Sequence, residues 1–168
     1  MNKKKIFLLI GVFWIVILGG FIGFKEFTLR TGDEVLLKTV PVDPRDLFRG
    51  DYVILRYDIS SVDSYADNIN VGDTVYVLLN IDKDNIGSFG RISKEPTADE
   101  IFIKGVVKGK YGNRLTVEYG IESYFVPEGK GGEIEKNRGR IYTRVSIDKF
   151  GNAVTKGLVL DGKNVNIQ

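Results

Sequence analysis

The stretch RIYTRVSIDKFGNAVTKGLVL, residues 140–160, decides the fold class. Within Arg140–Asp148, the residues Ile141, Thr143, Val145 and Ile147 fall on one parity and Arg140, Tyr142, Arg144 and Ser146 on the other, which is the period of a half-buried strand. Phe150-Gly151-Asn152 supplies the residue types that tolerate positive φ in a tight antiparallel turn. Ala153–Leu160 then returns as a second β-rich run. A hairpin is predicted here.

Outward from this hairpin the same signals repeat. Glu34–Val40, Tyr52–Ile59, Thr74–Ile81, Ile101–Lys108, Arg114–Tyr119 and Ser123–Val126 are short runs rich in Val, Ile, Leu, Tyr and Phe, separated by Gly, Asn and Asp. Tyr111-Gly112-Asn113 marks a second hairpin turn. Helical candidates are limited to Ser61–Asn68 and the glycine-flanked Lys130–Asn137. The expectation is a mainly β domain, a small antiparallel barrel or sandwich. Gly32-Asp33-Glu34-Val35, Gly50-Asp51-Tyr52-Val53 and Gly72-Asp73-Thr74-Val75 share a Gly-Asp-x-Val pattern at irregular spacing. It reads as a repeated strand start, with glycine bending the backbone and aspartate accepting backbone N–H groups.

The N-terminal region has a different character. Ile6–Phe24, IFLLIGVFWIVILGGFIGF, carries no charge and no polar face. At about 1.5 Å per helical residue it approaches the ~30 Å hydrocarbon thickness of a bilayer. Phe21 stands two places before Gly23 and Leu18 two before Gly20, where a cleavable signal needs small residues, so an uncleaved signal-anchor is expected. Lys3, Lys4 and Lys5 precede the run, whereas Lys25 and Arg30 behind it are diluted by Glu26, Asp33 and Glu34. Charge bias therefore places residues 1–5 in the cytoplasm, 6–24 across the cell membrane, 25–33 as a juxtamembrane linker and 34–168 as an extracytoplasmic β domain.

Composition narrows the chemistry. The 168 residues contain 24 Lys and Arg, 22 Asp and Glu, and neither His nor Cys, for a formal charge of +2. Disulfides, thiolate nucleophiles, Ser-His triads and the commonest zinc sites are excluded. A nucleic-acid partner would require a clustered basic face, and none is expected. No cofactor or metal site is expected either. Asp82-Lys83-Asp84-Asn85-Ile86-Gly87 begins like a calcium loop, but Ile86 occupies a ligand position and Ser93 stands where a bidentate acid is needed, so a hairpin turn is predicted. Gly129-Lys130-Gly131-Gly132 lacks the Walker spacing.

The densest cluster of charge and aromaticity is PVDPRDLFRGDYVILRY, residues 41–57. Asp43, Pro44, Arg45, Asp46, Arg49, Gly50, Asp51, Tyr52, Leu55, Arg56 and Tyr57 form the candidate contact surface. The bland alternative is a corner locked by arginine forks, with Asp46 paired to Arg49 or Arg56. The stretch resembles the signature of the GDYXXLXY family of bacterial membrane-anchored proteins, with Gly50, Asp51, Tyr52, Leu55 and Tyr57 filling every named position. IESYFVPEGKG, residues 121–131, and the N-terminal anchor are similar to that family too, and the resemblance covers most of residues 34–160. It implies membrane anchoring and an association with polytopic membrane proteins, and it brings no catalytic residues.

Two enzymatic readings compete with a binding or assembly module. A hydrolase would use a carboxylate pair drawn from Asp43, Asp46, Asp51, Glu122 and Glu128. A signal-peptidase-like Ser/Lys enzyme would use the lysine of Ile103-Lys104-Gly105, but Thr39 is the only hydroxyl in the run Thr39–Pro44 where its nucleophile belongs. The module reading draws on Tyr52, Tyr57, Tyr111, Tyr119, Tyr124 and Phe125 as candidate anchors, and on Gly19-x-x-x-Gly23 as a small-residue helix contact for self-association or another membrane protein.

Overall fold

The computed structural model describes residues 3–40, 52–63, 68–97, 99–125, 139–160 and 162–165. One helix, α1 (Lys3–Thr31), leads into a mostly β domain. Its strands are β1 (Asp33–Val40), β2 (Tyr52–Ile54), β3 (Arg56–Tyr57), β4 (Ser61–Asp63), β5 (Thr74–Ile81) and β6 (Ile86–Ser93). They are followed by β7 (Phe102–Tyr111), β8 (Arg114–Glu118), β9 (Ser123–Phe125), β10 (Ile141–Ile147), β11 (Ala153–Leu160) and β12 (Lys163–Asn164).

The main sheet is open and mixed, in the order β12-β11-β10-β1-β6-β5-β7-β8-β4. Its hairpins are antiparallel as the sequence predicts, and β10 and β11 pair from Ile147↔Ala153 to Ile141↔Leu160. The exception is β1 with β6, a short parallel contact at Leu36↔Ile86 and Leu37↔Gly87. The segment Arg56–Asp63 links distant parts of the sheet, because β3 pairs β1 at Thr39 and Val40 while β4 pairs β8 at Leu115. β2 and β9 form a separate two-stranded ribbon.

Alternation explains the core. Val35 and Leu37 of β1, Val75 and Val77 of β5, Leu115 and Val117 of β8, and Ile141, Val145 and Ile147 of β10 are all buried in one cluster. Fully burying side chains of this kind contributes about 1.5–3 kcal/mol each. Ser146 lies on the opposite parity of β10 and is also buried, because the end of α1 covers that face.

Several local expectations change. Tyr52–Ile59 breaks into β2, β3 and a 3₁₀ turn at Asp58–Ser60, with the Leu55 amide at the break donating to the Glu122 carbonyl at 2.6 Å. Ser61–Asn68 begins as β4 instead of a helix, because Val62 is buried opposite Leu115. β6 is a strand that composition conceals, since Gly87 and Gly90 interrupt its hydrophobic pattern. A Cβ on Gly87 would meet Val35 Cγ1 at 2.7 Å, so glycine permits the close packing of β1 and β6. The Asp82–Ile86 turn is the hairpin expected: Asp82 Oδ1 accepts the amides of Asp84 and Ile86 at 2.8 and 2.9 Å. The candidate helix Lys130–Asn137 lies outside the described residues.

Candidate functional site

Asp43, Pro44, Arg45, Asp46, Arg49, Gly50 and Asp51 lie outside the described residues, as does Glu128. What remains of the signature begins with the backbone of Tyr52 in β2 and runs to Tyr57 in β3. β2 pairs β9 in the register Tyr52↔Phe125, Val53↔Tyr124 and Ile54↔Ser123. The two stretches that carry the family resemblance are therefore neighbours in space.

Alternation sorts this segment into inward and outward residues. Leu55 and Tyr57 are buried, whereas Ile54 and Arg56 are exposed. Tyr57 Oη donates to the Ile121 carbonyl at 2.7 Å, and Tyr119 Oη donates to the Ile59 carbonyl. Each chain segment thus offers a tyrosine to the other's backbone two residues beyond the other's tyrosine. Burial raises both phenols well above their ordinary range, and the nearby Glu122 carboxylate adds to the rise. They are neutral donors, satisfied and withdrawn from solvent.

Glu122 has a structural task as well. Its carboxylate accepts the Tyr119 amide at 2.6 Å across a turn in which Gly120 has a φ of 78°. Its backbone carbonyl receives Leu55. Tyr124 is half-buried against the core, while Phe125 and Tyr111 are exposed. The outer surface of the ribbon consequently presents Ile54 and Phe125, and Arg56 is exposed two residues on, in β3.

The Gly-Asp-x-Val pattern serves two purposes where it is described. Gly72 has a φ of 93°, and Asp73 accepts the Asn70 amide at 3.0 Å while pairing with Lys94 at 2.7 Å. This is the strand-start device expected. Gly32 instead lies where the helix turns into β1: an added Cβ would meet Ser146 Oγ, the Ile147 carbonyl and the Thr28 carbonyl at 2.6, 2.7 and 2.8 Å.

That junction is the second site of note, and nothing in the sequence pattern connects its parts. Thr28 is fully buried. Ser146 Oγ donates to the Thr28 carbonyl at 2.7 Å, joining the Gly32 amide, which donates to the same oxygen at 3.0 Å. Thr28 Oγ1 donates to Asp148 Oδ2 at 3.2 Å. Asp148 also receives the amides of Phe150 and Asn152, each at 2.9 Å, and the Asn152 side chain. Burial opposes ionisation of Asp148, but these donors outweigh it and hold its carboxyl below the usual range. A cavity of about 400 Å³ lies alongside, bordered by Asp33, Asp99, Glu100, Phe102 and Asp148. Among the described residues no group of three or more acidic side chains is placed to hold a metal ion.

The family model described as GDYXXLXY protein matches residues 14–158, most of the chain. Neither the curated proteins nor the solved structures compared with the chain give a match.

Proposed function

The chain belongs to the GDYXXLXY family, and from that membership and its uncovered apolar helix we propose a single-pass signal-anchor protein of the cell membrane. Its N-terminus is cytoplasmic, and its β domain faces outward as a binding or assembly module for a membrane or envelope partner. The carrying observation is α1: its most apolar 18-residue window has a mean hydropathy of 2.7, and none of that window is covered by the domain. Phe7, Phe13, Trp14, Ile15 and Phe21 are all exposed, an arrangement that water penalises and lipid does not. The flanking charges, Lys3, Lys4 and Lys5 ahead and a mixed set behind, support the orientation.

The contact surface comprises the signature corner, Asp43 to Asp51, together with the exposed residues Ile54 and Phe125 of the ribbon and Arg56 of β3. Leu55 and Tyr57 hold the ribbon's base from inside. Gly19 and Gly23 have open space beside them, which leaves room for a partner helix.

Because the chain lacks cysteine, single cysteines report topology directly. In intact cells Tyr111→Cys is expected to react with an impermeant thiol reagent, and Lys4→Cys only after permeabilisation. The reverse pattern refutes the orientation, and a protein recovered free of membranes refutes the anchor. A photocrosslinker at Ile54 is expected to capture a membrane protein or a second copy of this chain; reaction with water alone removes the module reading.

A further inference from the structure

We infer that the β10–β11 hairpin tip, Lys149-Phe150, is a second membrane contact that rests in the lipid headgroup layer beside the helix, an inference that depends on the anchor reading above. The argument begins with the length of the helix. If the apolar run ends at Phe24, Thr28 stands about 6 Å farther along the axis at ~1.5 Å per residue. The headgroup layer on each side of a bilayer is about 5–8 Å thick, half the difference between its ~30 Å core and ~40–45 Å total thickness. Thr28 therefore falls within that layer.

No slack separates Thr28 from the domain. Its side chain is fully buried, its hydroxyl donates to Asp148, and its carbonyl receives Ser146. The hairpin turn that begins at Asp148 is thereby set at the height of the headgroups, continuous with the anchor. The residues at its tip suit that position. Phe150 is 59% exposed, and Lys149 Nζ lies 5.1 Å from its ring centroid. Phe27, on the last turns of α1, is 61% exposed. An aromatic ring and an amine on one turn match an interface whose inner side is apolar and whose outer side carries phosphate.

Two of the four acids beside the tip are already engaged within the domain. Glu100 is paired with Arg91 at 2.6 Å, and Asp148 is bonded to Thr28, Phe150 and Asn152. The far end of the domain follows from β7. The Lys104 amide donates to the Gly151 carbonyl at 2.8 Å, which fixes the start of β7 against the tip. Tyr111, seven residues beyond Lys104 at the other end of that strand, lies roughly 23 Å away at ~3.3 Å per residue.

The test uses the full chain in phosphatidylcholine vesicles containing lipids brominated at shallow or deep positions of the acyl chain. The protein has one tryptophan, Trp14, so the parent reports the anchor. Phe150→Trp (the tip variant) and Tyr111→Trp (the far-end variant), each in a Trp14→Phe background, report the other two positions. The expected result is that the parent is quenched most by deep bromines, the tip variant by shallow ones and the far-end variant by neither. Quenching of the parent alongside a tip variant that emits as in water overturns the inference and leaves the anchor standing. Equal quenching of the tip and far-end variants also overturns it. An unquenched parent refutes the anchor, and the inference with it. Lys149→Glu added to the tip variant is expected to lower the shallow quenching at least twofold, and no change overturns the part assigned to the amine.

Discussion

Tyr57 closes a family signature, yet its hydroxyl is spent on the Ile121 carbonyl inside the protein, while Tyr119 returns the same bond to Ile59. Removing one hydroxyl leaves a buried carbonyl without its donor. Tyr57→Phe is expected to cost about 1–2 kcal/mol in urea unfolding, and Tyr57→Ala about 3–5 kcal/mol because the ring's volume is lost too. The double variant with Tyr119→Phe should depart from additivity, since the two bonds span the same pair of segments. A Tyr57→Phe protein as stable as the parent would show that the pair positions the ribbon without stabilising it. By residue type alone Tyr57 and Tyr119 are candidate interface anchors; only the spatial pairing of residues some sixty positions apart, 64 for one bond and 60 for the other, separates a latch from a contact surface.

The strands most visible in the sequence are those whose apolar parity is uninterrupted, such as β5 and β10. β6 is hidden because its glycines serve packing against β1, a cause that lies in another part of the chain. The helix is legible from hydropathy, but its fastening to β10 is not, since Thr28, Ser146 and Asp148 are ordinary residues until the fold brings them together. Gly32 gives this junction a sharp test. Gly32→Ala forces a methyl against a hydroxyl and two backbone carbonyls that cannot swing aside, and is expected to destabilise by about 1–3 kcal/mol. Gly157→Ala in β11 meets nothing within 4 Å and is expected to change stability by no more than about 0.5 kcal/mol. Equal effects in thermal melts would refute the tight helix exit.

Taken together, the titrating groups confine stability to a window of pH. Glu34 is held low by its hydrogen bond to Lys156, Asp73 by Lys94, and Asp148 by donors that outweigh its burial. Lowered carboxyls contribute stability that is present above their unfolded values of about 4 and lost as pH falls through the folded ones. Asp58 acts in the opposite sense, raised by loss of water, and offsets part of this loss. Tyr57 and Tyr119 are raised by burial, so their contribution is complete below the ordinary phenol value of about 10 and drains away above it. The melting temperature is expected to be flat from about pH 5 to 9 and to fall on both sides, with the acid limb shallower in Asp148→Asn. A melting temperature that climbs between about pH 5 and 3 would contradict the assignment. The unbroken passage from α1 through Gly32 into β1 has a mechanical corollary. With no swivel between rod and body, and with the rod in lipid as proposed, torque applied to the rod by crowding or curvature would turn the sheet through the same azimuth, and a load on the sheet would be felt as tilt of the rod.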